Sequence, residues 1–281
     1  MENTTTAPEQ IGELYDSMTR MSEVFNEGQE HLAYWYGPDD DADAVTAGLR
    51  LTRKVTDALG LRRGEHLLDA GCGVGAPGVM VARETGVQVT GITVSRVEAA
   101  VAEKRVHDND LVGQVRFQHG NYEKMPFADG TFDAVMAIES LTHATDLPAA
   151  LREFHRVLRP GGRVALSECT RAVGPTGEPV ASMPDVFRPN QLLTTHEWVR
   201  ALEDAGFAVE EYTQCGPRVY GLGLRYLDRA NELHDTLTQE FGPDAVASLK
   251  QGYKAMFGGD PKAMGYAVVT ARKPVVPASA A

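Results

Sequence analysis

The sequence predicts a doubly wound α/β fold with a mainly parallel, seven-stranded Rossmann-like sheet, and three observations carry that prediction. Short apolar runs alternate with stretches whose apolar residues recur at helical spacing. The run Leu67-Leu68-Asp69-Ala70-Gly71-Cys72-Gly73-Val74-Gly75 joins an apolar strand to a glycine turn, and Ala76-Pro77-Gly78-Val79 reads on as a helix. The pattern Leu147-Leu151-Phe154-Leu158 ends in Arg159-Pro160-Gly161-Gly162, a stop signal directly before another apolar run. Strands that alternate with helices pair in parallel, because right-handed crossovers lay the helices on both faces of the sheet.

The elements follow in order. Residues 1–45 precede the first strand and read as an amino-terminal helical cap. Asp39-Asp40-Asp41-Ala42-Asp43 reads as a solvated loop and N-cap before a helix over 44–59. Strands are expected at 66–69, 87–92, 114–118, 132–138, 163–168, 207–213 and 265–272. In the glycine turn, residues without a Cβ let the backbone approach a ligand, and Pro77 sits in the first helical turn, where no N–H is needed. The helix from Leu147 buries one apolar face, with Arg152, Glu153 and Arg156 around it. Residues 46–173 form the expected α/β core. Residues 174–262 hold one convincing strand among helical stretches and read as a lid and substrate region; 263–281 supply the last strand and a Pro/Ala-rich tail expected to be disordered after Lys273.

Length and composition narrow the partner. The chain has 281 residues, 43% hydrophobic and 23% charged, enough for one large α/β domain with an elaboration. A formal net charge of -12 argues against nucleic acid and anionic membrane surfaces, which select basic patches, and in favour of a small molecule. Cys72, Cys169 and Cys215 lack metal-ligand spacing, as do His107, His119, His155, His196 and His234, and no metal is expected. Residues 1–10 carry no basic and apolar leader, and no apolar run reaches the ~18 residues of a membrane span. A cytoplasmic protein is expected; a homo-oligomer is left open.

Ligands of such a sheet bind outside the carboxyl ends of its strands, at Asp69 to Gly75, Ile92 to Ser95, Gly120 to Tyr122, Ile138 to His143, and Glu168 to Cys169. Gly71-Cys72-Gly73-Val74-Gly75-Ala76 satisfies the loose dinucleotide fingerprint, yet the next strand ends Thr90-Gly91-Ile92-Thr93-Val94-Ser95 without the carboxylate that a nicotinamide ribose requires. Asp69 would repel a pyrophosphate and suit a cation.

These residues resemble the class I S-adenosylmethionine-dependent methyltransferases. The resemblance covers about residues 60–170 through Leu68 to Gly75, Gly91 to Ser95, Met125-Pro126-Phe127, Phe132 to Val135, Glu139-Ser140-Leu141-Thr142-His143 and Leu158 to Gly162. Tyr15-Asp16 and His31-Leu32-Ala33-Tyr34-Trp35 are similar to signatures of a natural-product branch acting on macrolides, glycosides and terpenoids, which is related to sterol and cyclopropane-fatty-acid enzymes.

The resemblance implies S-adenosylmethionine as cofactor. Asp69 and the backbone of Gly71, Cys72 and Gly73 would cradle its methionine part; Thr93 and Ser95 would face the ribose, although Ser95 also suits a helix N-cap. Asn121 would accept from the adenine amine, or serve only a turn, and Tyr122 would offer a backbone N–H. Tyr15, Tyr34 and Trp35 would lie over the sulfonium or staple the cap to the core. His143 is the candidate base toward a hydroxyl, with Glu168 as its partner and Glu139 beside the reacting centre; Tyr220 and Tyr226 are candidates for substrate contact. The expected reaction is methylation of a hydroxyl on a polyketide, terpenoid or glycoside. Carbon methylation of an alkene, with Glu139 and the aromatics stabilising a carbocation, and a cofactor-binding cyclase or isomerase remain as alternatives.

Overall fold

The computed structural model describes residues 6–171, 189–260 and 264–275. The tail beyond residue 275, the first five residues and the opening of the expected lid, up to residue 188, lie outside the described residues. Helix α1 (Pro8–Asn26) leads through segment 27–43 to α2 (Ala44–Leu59). The core continues as β1 (His66–Ala70), α3 (Ala76–Thr85), β2 (Gln88–Thr93), α4 (Arg96–Asp108), β3 (Val115–His119), β4 (Phe132–Ile138), α5 (Leu147–Val157) and β5 (Leu158–Arg171). Then come α6 (Thr195–Asp204), β6 (Ala208–Gln214), α7 (Gly216–Val219), α8 (Arg225–Glu232), α9 (His234–Phe241), α10 (Pro243–Phe257) and β7 (Met264–Arg272).

The strands form one sheet in the order β3-β2-β1-β4-β5-β7-β6. Pairing is parallel from β3 through β5, and β7 runs antiparallel to both of its neighbours. Sequence order reverses between β1 and β4, which opens a crevice at their carboxyl ends. All seven expected strands are present, and β5 is the one that differs most, starting at Leu158 rather than 163. Leu158 pairs with Phe132 across a bulge before the regular register resumes at Arg163, so the Pro160-Gly161-Gly162 stop ends α5 without ending the pairing.

Two apolar layers flank the sheet. On one side α2 buries Leu51, Val55 and Leu59; on the other α5 buries Leu147, Leu151, Phe154 and Val157, with Trp198 of α6 beside them. At roughly 25 cal/mol per Å², each of these aliphatic side chains contributes about 1.5–3 kcal/mol when fully buried. The helices between β6 and β7 join the amino-terminal part through stacked rings, Tyr226 on Tyr253 at 5.0 Å and Phe25 on Tyr253 at 5.5 Å. That stack seats α1 across the crevice. Among the described residues, no helix is long and apolar enough to cross a membrane.

Candidate active site

The crevice holds a cavity whose wall combines the end of β1, the glycine turn, the end of β2, the turn after β4, α1 and segment 27–43. The turn has the shape its sequence requires. Gly71 has φ +84°, and a Cβ there would meet the Ser140 Cβ at 2.3 Å; Gly73 has φ +50°, and its Cβ would meet Glu30 Oε2 at 2.0 Å. Both positions therefore need glycine. Asp69 ends the buried strand with Oδ2 lacking a hydrogen-bond partner, and burial pushes its carboxyl up to about 7.

Of the residues singled out from sequence, Tyr15, Asp69, Gly71, Cys72, Gly73, Thr93, Tyr122, Glu139 and His143 line this cavity. The Tyr15 hydroxyl lies 2.9 Å from His143 Nε2, with the rings edge to face. Burial, then the neighbouring Glu98, Glu30 and Glu139, pushes the Tyr15 phenol well above its usual range, so Tyr15 carries its proton near neutral pH. Glu139 adopts φ +50°, uncommon without glycine, and its Oε1 accepts from Leu32 N–H and Tyr266 O–H, each at 2.8 Å. Burial nonetheless raises the Glu139 carboxyl to about 7.

Other expectations are corrected. Trp35 is fully buried away from the cavity, its Nε1–H donating to Ala42 O and its ring set against Tyr226. Tyr34 faces a separate groove with Arg50, Arg53 and Lys54, and Arg218 donates to its hydroxyl at 2.8 Å. Both aromatics therefore staple segment 27–43 to the core. Ser95 Oγ donates to Asp16 and accepts from Glu98 N–H, which makes it the N-cap of α4. Asn121 Oδ1 accepts from Glu123 N–H at 2.7 Å within its own turn and lies outside the cavity wall. Glu168 Oε1 accepts Leu141 N–H at 2.8 Å and holds the 3-10 turn Leu141–His143, the turn that carries His143. The hydroxyls of Tyr220 and Tyr226 are taken by Met256 O and Ala33 N–H. In the acidic run, Asp43 caps α2 as expected, and Asp40 pairs with Arg50.

Two acidic wall residues were not anticipated. Glu98, at the third position of α4, turns inward to accept from Thr93 Oγ1 at 2.5 Å and leaves Oε1 without a partner. Its signal was the Ser95-Arg96-Val97-Glu98 spacing of a capping box, three residues past the strand end where a carboxylate was sought. Glu30 gave no signal, since it lies in an aperiodic segment. Burial raises Glu98 to about 7; burial and the charge of Glu98 together raise Glu30 to about 8, against the Val74 N–H that Glu30 accepts at 3.1 Å. Among the described residues, the cavity is thus lined by carboxylates and two histidines, with no lysine or arginine in its wall. It is suited to a cationic ligand that carries hydroxyls.

Residues 68–177 match the family model described as "Methyltransferase domain". The chain is 33% identical over 268 residues to "O-methyltransferase resE" of Aspergillus sclerotiorum, covering 94% of this chain and 96% of the relative. It is 30% identical to the "27-O-demethylrifamycin SV methyltransferase" of Amycolatopsis mediterranei, covering 96% and 99%. Among solved structures it is similar to the [4+2]-cyclase SpnF, with 30% identity, a TM-score of 0.84 and coverage of 97% and 98%.

Proposed function

The chain belongs to the class I S-adenosylmethionine-dependent methyltransferases of secondary metabolism, and on that premise we propose that it methylates a hydroxyl of a small-molecule natural product, a polyketide, terpenoid or glycoside. When bound, S-adenosylmethionine supplies a methyl group on a positively charged sulfur. The chain's own residues fit that cofactor. The unpartnered Asp69 Oδ2 suits the ammonium group, the glycine turn admits the methionine part, and Thr93 with Glu98 Oε1 suits the ribose hydroxyls. Tyr122 lies in the same wall for the base.

The observation that carries the hydroxyl reading is the Tyr15–His143 pair in the cavity wall. An acceptor hydroxyl becomes nucleophilic as its O–H bond breaks. Its proton passes to the Tyr15 oxygen while the Tyr15 proton moves to His143 Nε2, so His143 is the terminal base and Tyr15 the relay. Neutral tyrosine and histidine are the protonation states this relay needs. Glu168, by fixing the 3-10 turn, positions His143. The acceptor would enter past α1 and the helices α7 to α10. That O-methyltransferases match nearly the whole chain supports transfer over the cyclisation named for the SpnF structure.

The test is a panel of macrolide polyols, phenolic polyketides and glycosides incubated with methyl-labelled S-adenosylmethionine, with products read by NMR. A labelled methyl on oxygen is expected, and His143→Ala should lower turnover by about two to four orders of magnitude with cofactor affinity retained. A methyl on carbon, or unchanged turnover in His143→Ala, would overturn the reading.

A further inference from the structure

Four carboxylates, those of Glu30, Asp69, Glu98 and Glu139, line one cavity whose wall, among the described residues, holds no lysine or arginine. Asp69 and Glu98 lie on β1 and α4 of the α/β core, and Glu139 directly follows β4. Glu30 instead belongs to segment 27–43, which closes over the glycine turn: its carboxylate accepts Val74 N–H and rests directly on Gly73. The segment is held on either side of Glu30. Gly28 packs against Val74 and Arg105, His31 Nε2 lies 2.9 Å from Thr52 Oγ1, and Leu32 N–H donates to Glu139. Glu30 is therefore the cavity acid that belongs to that segment, while Glu139 touches it through Leu32 N–H.

The methyl donor and its product differ by a methyl group and one positive charge at sulfur. A wall of carboxylates with no side-chain cation attracts the first and gains nothing at sulfur from the second. We propose that Glu30 is a specificity residue of the donor site, through which segment 27–43 distinguishes the cationic donor from its product and so retains one and releases the other. This rests on the donor alone and not on the acceptor proposed above.

The groups facing Glu30 are Glu98, Glu23 of α1, Tyr15 and Cys72. The one nearby cation, Arg105, is engaged by Glu23 and Val74 O. Among the described residues no side-chain cation therefore offsets the repulsion between Glu30 and Glu98, which the Val74 N–H opposes only in part, and with Glu30 raised to about 8 it holds a proton at neutral pH. Donor binding favours the ionised form and sends that proton to the buffer. In the product-bound protein the stimulus is gone, and the proton returns from the buffer.

Calorimetry of S-adenosylmethionine and S-adenosylhomocysteine binding, without acceptor, tests this in the wild type, Glu30→Gln and Glu30→Asp, with thermal melts confirming folding. Glu30→Gln should reduce the preference for donor over product by about tenfold, whereas Glu30→Asp keeps most of it. The preference in the wild type should rise with pH through about 8 and flatten in Glu30→Gln, together with a fall in protons released, measured in buffers of different ionisation enthalpy. Equal weakening of both ligands, or an unchanged preference, would overturn the assignment. If Glu30→Gln does not fold, a Glu30→Asp variant that loses the preference as an uncharged residue should would do the same. Failure of S-adenosylmethionine to bind at all would remove the donor site itself, a result distinct from binding with unchanged preference.

Discussion

Asp69 meets the cavity with an unpartnered oxygen, and its carboxyl is raised to about 7 by burial. An ammonium group at that oxygen would restore the ionised form, so Asp69→Asn should weaken S-adenosylmethionine binding by roughly 1.5–3 kcal/mol, read as the dissociation constant; an unaltered value removes the role. Asp69 and His143 were legible in the sequence because one sits at the end of an apolar strand and the other just beyond one, where α/β folds present their ligand-binding groups. Tyr34 and Trp35 were not, because an aromatic run is equally suited to covering a ligand and to filling a core, and the fold chose the second. Glu98 was hidden by one turn of helix between its place in the sequence and its place in space. At this scale a second expectation concerns Tyr15: Tyr15→Phe keeps the ring against His143 and removes the relay oxygen, so turnover should fall by about tenfold or more with the donor dissociation constant little changed.

The 3-10 turn Leu141–His143 is short and has no periodic signal of its own; a buried carboxyl holds it, with Glu168 Oε1 on Leu141 N–H. Burial and the charge of Glu139 push Glu168 well above the usual carboxylate range, while the backbone N–H groups of the turn pull it back down. Glu168→Gln, which keeps an acceptor oxygen, should preserve most activity. Glu168→Ala should destabilise the fold by about 1–3 kcal/mol and lower kcat more than it changes donor affinity, as measured by denaturant unfolding, kinetics and calorimetry. Equal kinetics in the two variants would sink the positioning role. Elements with strong periodicity were readable from the start, α2 and α5 among them. The early start of β5 was not, since Arg159-Pro160-Gly161-Gly162 ends a helix by the same local chemistry whether or not the next residues pair with a neighbouring strand.

Across the molecule, the raised carboxyls of Glu30, Asp69, Glu98 and Glu139 tie stability to pH. Each binds a proton more tightly folded than unfolded, so between about 4.5 and their raised values of about 7 to 8 the folded state holds more protons, and stability declines as pH rises. The empty protein should lose roughly 3–6 °C in Tm from pH 5.5 to 8, and S-adenosylmethionine should recover most of that loss. A Tm that climbs over this range in the empty protein would contradict the burial of these acids. The order of elements was legible as an alternation of periods, whereas the convergence of four acids was not, because they come from four separate stretches of chain that only the tertiary fold brings together. The same order has an evolutionary side. Helices α7 to α10 are inserted between two adjacent antiparallel strands, with Gln214 of β6 paired to Ala267 of β7, so the segment leaves and rejoins the sheet at nearly the same point. Such an insert can lengthen or shorten while β1 to β5, which carry Asp69 and the glycine turn of the cavity, keep their register.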